Sequence, residues 1–219
     1  MMTDSLHPPH RKTRRVILVG SAALILIAAV LIWWLNRDIE AQAPILTTQT
    51  PLPSARHFHT APEESQLKII IDSRFGEIEG FYQLNESSVE LEPDGGGWYV
   101  VVNLTFDART LDIGSAQLNA PMRAALEVEK YPNGIFIARS TAPISDQSAA
   151  QTIELAGQME LHGSVQNYTI PTKIEIGEDK LTLSAQITID ARQFGISIPA
   201  LIAESELGTD IQVVAYRAE

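Results

Sequence analysis

Apolar and polar residues alternate with a period of two in three long stretches of this chain. From Trp98 to Phe106 the even positions Trp98, Val100, Val102, Leu104 and Phe106 are apolar. From Ile153 to Leu161 the odd positions are Ile153, Leu155, Gly157, Met159 and Leu161, and from Leu181 to Ile189 they are Leu181, Leu183, Ala185, Ile187 and Ile189. Side chains of an extended strand point to opposite faces in turn, so each stretch predicts a strand with one dry face. Shorter runs at Leu67 to Ile71, Ser88 to Glu92, Ile135 to Ser140, Tyr168 to Ile176 and Ile211 to Tyr216 add weaker strands. Gly95-Gly96-Gly97 and Gly177-Glu178-Asp179 supply the flexible connections that hairpins use. The pattern predicts an all-β domain of about eight mostly antiparallel strands. Gly157, in the middle of a long strand, predicts a bulge or bend.

One helical piece interrupts the alternation, from Pro121 to about Glu127, with Asn119 or Ala120 as its cap and Pro121 preset for the first turn. Leu118, Met122 and Leu126 recur at four-residue spacing and predict a shared apolar face. In a barrel such a helix lies across an opening or plugs the core. Eight strands of this length can close into a barrel whose interior is filled by side chains or holds one small ligand. Periodicity does not choose between the two. Small inward residues such as Gly157 and Ala185 leave room, yet such residues also occur in filled cores.

A different pattern precedes the strands. Val16 to Leu35, VILVGSAALILIAAVLIWWL, is twenty residues without a charge. At about 1.5 Å rise per residue it spans a hydrocarbon core of about 30 Å. Trp33 and Trp34 stand where an interfacial aromatic belt falls, and Arg11, Lys12, Arg14 and Arg15 flank the other end. The positive-inside rule then keeps the N-terminus in the cytoplasm and puts the rest outside. A cleaved signal peptide is the alternative, since Ala41-Gln42-Ala43 has the form of a cleavage site; the long apolar run and the following Pro44 favour an uncleaved anchor. Pro44, Pro51, Pro53 and Pro62 among Thr, Ser and Gln predict a semi-extended linker. His57 and His59 in it lack further ligands nearby and read as solvated. The predicted organisation is a basic N-terminus at 1–15, a transmembrane signal-anchor at 16–35, a periplasmic linker at 36–65 and a β domain at 66–219.

Composition narrows the function. The chain has no cysteine, which excludes disulfides, thiolate metal sites and a thiol nucleophile. Residues 65–219 carry 10 Lys and Arg against 22 Asp and Glu, a balance that repels phosphate backbones and argues against nucleic acid as a partner. The same sign opposes docking on anionic headgroups, so a lipid handled here belongs inside the barrel. There is no nucleophile elbow, phosphate loop, dinucleotide fingerprint or zinc-protease motif. No catalytic or metal-binding residue is predicted, and His162 at a strand end reads as structural.

Three tracts in the last hundred residues carry a resemblance. Met122 to Phe136 reads MRAALEVEKYPNGIF, His162-Gly163 closes an alternating strand, and Arg192 to Pro199 reads RQFGISIP, followed by Leu207-Gly208-Thr209-Asp210. In that order the set resembles the YceI-like family of lipid and polyisoprenoid binding proteins. The resemblance implies a lipocalin-like, eight-stranded antiparallel β-barrel with an elongated apolar channel for the tail of an isoprenoid such as a quinone. It calls for no cofactor beyond such a bound lipid. The expected channel wall is Val102, Leu104, Phe106, Phe136, Met159, Leu161, Leu183, Ile187, Ile189 and Phe194. The competing readings are a ligand-free module on the same barrel, acting through protein contacts in the envelope or in stress response, and a lipid-modifying enzyme, for which no motif speaks.

Overall fold

A sheet that is dry on one face must find a second layer or curl on itself, and here it curls. The structure is a computed structural model describing residues 54–74, 76–85, 87–145, 150–198 and 203–218. Ten strands form one closed antiparallel sheet. β1 (Arg56–Thr60) and β2 (Gln66–Ser73) follow one another along the same side of β10 (Ala203–Arg217), with Thr60 opposite Ala215 and Gln66 opposite Gln212. β3 (Gly76–Leu84) and β4 (Ser88–Asp94) do the same along β5 (Gly97–Asp112). Each pair is one stave with a break in it. With β6 (Asn133–Ser140), β7 (Gln151–Leu161), β8 (Ser164–Ile176) and β9 (Lys180–Asp190) they make an eight-staved, up-and-down barrel. Pairing of β5 with β6 closes the ring.

Hydroxyls replace backbone rungs at the two breaks, where the ladder would otherwise leave polar groups unpaired. Ser65 Oγ donates to Ala61 O at 2.8 Å and accepts from Val214 N at 3.0 Å. Ser87 Oγ accepts from Thr105 N at 2.9 Å and donates to Asn85 O at 3.1 Å.

The three long alternating strands are observed with the predicted faces inward, and two strands are new. β1 lies in the stretch read as linker, so the barrel begins earlier than expected. His57 there is 3.8 Å from Glu90 rather than free in a tether. β3 escaped notice because Gly80 interrupts its dry face and Phe81 sits on the wet one. The helix, α1, spans Ala116–Ala125 and starts earlier than predicted, with Pro121 inside it and Ser115 before it. Asn119 is no cap; its Oδ1 accepts from Ile113 N at 2.9 Å. Met122 and Leu126 pack inward, but Leu118 is 50% exposed and does not share their face.

Gly157 marks no bulge either. Its strand runs in unbroken register with both neighbours, and a Cβ there would run into the Ile137 carbonyl and the Ala138 backbone. The glycine lets β6 approach closely. The sheet's irregularities lie instead between Phe81 and Gln83 and between Ala203 and Leu207. The predicted membrane segment, Val16 to Leu35, lies outside the described residues. Among the described residues no helix is long and apolar enough to cross a membrane.

Candidate functional site: an apolar cavity at one mouth of the barrel

The two ends of the barrel differ. At the end carrying the β4–β5 and β8–β9 hairpins, the interior is solid: Val89, Leu91, Val100, Ile174, Leu181, Val213 and Ala215 show no exposed surface, and Phe58 shows 1%. At the other end the chain leaves the sheet between β5 and β6, builds α1 across that side, and returns through Tyr131-Pro132. Arg123 pins α1 by donating from Nε and Nη2 to Leu111 O at 3.0 and 2.7 Å. Under this cover lies a cavity of about 120 Å³. Its wall is almost wholly apolar: Leu67 and Ile69 of β2, Leu84 of β3, Leu104 and Phe106 of β5, Phe136 of β6, Met159 and Leu161 of β7, Ile189 of β9, Leu207 and Ile211 of β10, and Leu126 and Ile196 at the rim.

Of the ten residues expected on the channel wall, Leu104, Phe106, Phe136, Met159, Leu161 and Ile189 line this cavity. Val102 and Leu183 line a smaller void of about 20 Å³ deeper in the barrel, which shares Leu104, Phe136 and Ile211 with the first. Those three side chains separate the two voids. Ile187 and Phe194 line neither. Phe194 is fully buried in the turn Ala191–Phe194, its ring parallel to that of Tyr168 at 6.2 Å. Ile187 faces a stretch where β8 has parted from β9.

Besides Tyr131 and Asn133, three polar groups interrupt the wall. The Tyr82 ring packs on Phe106 at 4.8 Å, and burial pushes its hydroxyl well above the ordinary tyrosine range. Thr209 Oγ1 is buried without a hydrogen-bond partner among the described residues. The third is His162 at the rim. Its Nδ1 lies 3.2 Å from Phe194 O and its Nε2 lies 3.0 Å from Glu127 Oε2, within ion-pair reach though not aligned as a hydrogen bond. Both ring nitrogens thus face acceptor oxygens. Glu127 (φ 47°) and His162 (φ 51°) are both held in the left-handed region, which L-residues avoid at a cost of about 1–3 kcal/mol.

The tracts singled out in the sequence meet at this corner. His162-Gly163, with φ of 51° and 72°, forms the two-residue turn joining β7 to β8, and positive φ at both centres is what such a turn requires. The Tyr131 ring lies 4.3 Å from the His162 ring and covers Gly163, where a Cβ would come within 2.6 Å of it. Phe194 supplies the carbonyl facing His162, and Leu207 and Thr209 line the cavity beside it.

A family model described as the YceI-like domain matches residues 58–216. The chain belongs to the YceI-like family. No curated protein matches the chain. Solved structures agree in fold. A polyisoprenoid binding domain from Saccharophagus degradans aligns with a TM-score of 0.59 at 11% identity, over 74% of this chain and 98% of its own. BcnA of Burkholderia cenocepacia aligns with a TM-score of 0.58 at 14% identity, over 71% and 98%. The Campylobacter jejuni YceI protein gives 0.56 at 12%, over 82% and 96%. At such identities these likenesses establish the eight-staved barrel of this YceI-like protein and leave its ligand to be argued from the cavity.

Among the wall residues that sequence reading missed are Leu67, Ile69, Tyr82, Leu84, Leu126, Ile196, Leu207 and Ile211. Leu67, Ile69 and Ile211 lay on strands already in view but in shorter runs than the three that drew the eye. Tyr82 lay on the unseen β3. Leu126 and Ile196 belong to the excursions over the mouth, where a period of two carries no information.

Proposed function

We propose that this YceI-like barrel binds an isoprenoid lipid by burying its apolar tail at the α1 end, and that it does so as a carrier rather than an enzyme. The observation that carries this reading is a cavity open at one end, walled by aliphatic and aromatic side chains, in a barrel whose other end is solid. A preformed apolar recess with few polar groups is the usual form of a small-molecule site. Its size sets what it holds at rest: an engineered apolar cavity of about 150 Å³ takes a benzene molecule, so about 120 Å³ takes about one isoprene unit. Each buried carbon of a tail contributes up to about 0.8 kcal/mol before ordering costs. A tail that also displaces Leu104, Phe136 and Ile211 reaches the deeper void and gains accordingly. Tyr82, Thr209 and His162 are the groups available to a polar part of the ligand. The name of the Saccharophagus degradans domain, a polyisoprenoid binding domain, supports the ligand class.

We further propose that Val16 to Leu35 anchors the protein in the inner membrane, with the barrel on the periplasmic side. The solid half of the interior favours a second reading, a barrel that acts through protein contacts and holds no lipid. Native mass spectrometry of the full chain with organic extraction separates the two. The carrier reading expects a stoichiometric isoprenoid; a protein that stays bare when farnesol and quinones are offered rejects it. An N-terminus found near Pro44 in the mature protein rejects the anchor.

A further inference from the structure

The barrel wall is unzipped along one seam. β8 and β9 pair from Thr172 opposite Ala185 to Ile176 opposite Leu181, and no further. Beyond that, 164–171 pair with β7 and 186–190 with β10, but not with each other. The ladder stops where Pro171 follows the last rung, and a proline, lacking an N–H, belongs at a sheet edge. Continuing the register would set Ile170 against Ile187 and Tyr168 against Ile189; these rungs are absent. Ile187 is accordingly only half-buried although it lies on the inward face.

The seam meets the interior at the deep void. Ser184, Ala185 and Ile211 line both that void and a groove on the outside of the barrel, so the wall there is one residue thick. The turn Ala191–Phe194 folds over the parted strands. Gln166 Nε2 donates to Gln193 O at 2.9 Å, Tyr168 Oη donates to Gln193 Oε1 at 3.3 Å, and the Phe194 and Tyr168 rings lie parallel beneath them. The seam therefore has an aromatic underside and a polar roof. A chain entering at the mouth cannot continue along the axis, because the far half is filled.

We propose that this seam is a side branch of the channel, taking the distal isoprene units of a chain too long for the mouth cavity. This rests on the carrier reading above, and the test separates the two. The full chain is offered farnesol and a nine-unit prenol together, and bound mass is read by native mass spectrometry. Wild type is expected to take both, the longer in preference. Ile187→Phe, which puts a ring into the seam and borders neither void, is expected to keep farnesol within about twofold and to lose the nine-unit prenol at least tenfold; Ile187→Met gives a smaller loss in the same direction. Equal losses of both prenols, or none, overturn the side branch while leaving the carrier reading standing. Wild type that takes neither prenol overturns both. A prenol with a benzophenone at its far end gives a second readout without any substitution: it is expected to label residues 164–170 or 186–194, and labelling confined to α1 or to the Phe58 end overturns the branch.

Discussion

The two halves of this barrel are built from the same staves and the same residue types, yet one is solid and the other hollow. Small side chains do not explain the difference. Gly157 leaves no room, because β6 closes onto it, and Ala185 borders the deep void and not the mouth cavity. The hollow half is hollow because the chain leaves the sheet there. Beside the tight β2–β3 and β7–β8 hairpins, it departs between β5 and β6 to build α1 and between β9 and β10 to build the turn bearing Phe194, so these two excursions roof the interior. At the solid end the β4–β5 and β8–β9 hairpins are short, the β6–β7 connection packs Ile144 back against Trp98, and Phe58 of β1 drops into the centre. A barrel makes a pocket where its long connections arch over the mouth instead of packing into it.

The largest effect should therefore come from the solid end. Phe58→Ala removes a ring with 1% exposure from a filled interior and should cost about 3–5 kcal/mol of unfolding free energy, read by denaturant titration. Leu126→Ala, on the rim of a void already present, should cost about 1–2 kcal/mol by the same measurement. Equal costs would mean that the two halves are packed alike.

Filling the hollow half should do the reverse. Ala108 lines the mouth cavity, and Ala108→Phe places a ring in space that is empty at rest. Thermal stability should stay within a few degrees of wild type, while bound farnesol should fall more than tenfold. A large loss of stability with binding retained would place the ligand elsewhere.

Tyr82 allows the comparison to be read through pH. Burial raises its folded pKa above the ordinary value near 10. As pH rises past 10 the unfolded chain loses this proton and the folded one keeps it, so the unfolded state binds fewer protons and stability falls. The slope contributed is at most about 1.4 kcal/mol per pH unit. Tyr82→Phe should remove that contribution, so its denaturation midpoint should fall less between pH 10 and 11 than that of wild type. Parallel midpoints would show that the hydroxyl is hydrated.

How much of this was legible beforehand follows from the same physics. A period of two reports which face of a strand is dry, so the inward sets on β5, β7 and β9 could be read directly, as could six residues that line the cavity. It does not report depth along the axis. Val102 and Leu183 were indistinguishable in sequence from Leu104 and Ile189, yet they border the deep void instead of the mouth. Nor does it report strand pairing: Ile187 reads as a wall residue because its alternation is regular, and the parting of β8 from β9 is visible only as Pro171. β1, with its His-Phe-His pattern, looked like linker because one buried ring among polar neighbours makes no period. Tyr131, His162-Gly163 and Phe194 stood out as motifs, but their convergence on one corner depends on loops whose paths no pattern encodes.

That corner yields the smallest change in stability and the sharpest test of the mouth. Glu127 and His162 tie the chain following α1 to the β7–β8 turn across the rim, through a contact of 3.0 Å with the carboxylate about half exposed. Exposed pairs of this kind contribute less than about 1 kcal/mol, and the left-handed φ of His162 belongs to the β7–β8 turn, so the contact itself adds little to stability. Glu127→Gln keeps the size of the side chain and removes its charge. Unfolding free energy should shift by less than about 1 kcal/mol, whereas transfer of a bound prenol to acceptor vesicles should quicken severalfold as the rim loosens. A transfer rate equal to wild type would leave the corner a matter of folding alone, and a loss of several kcal/mol would show that the pair supports the hollow half of the barrel, not its entrance.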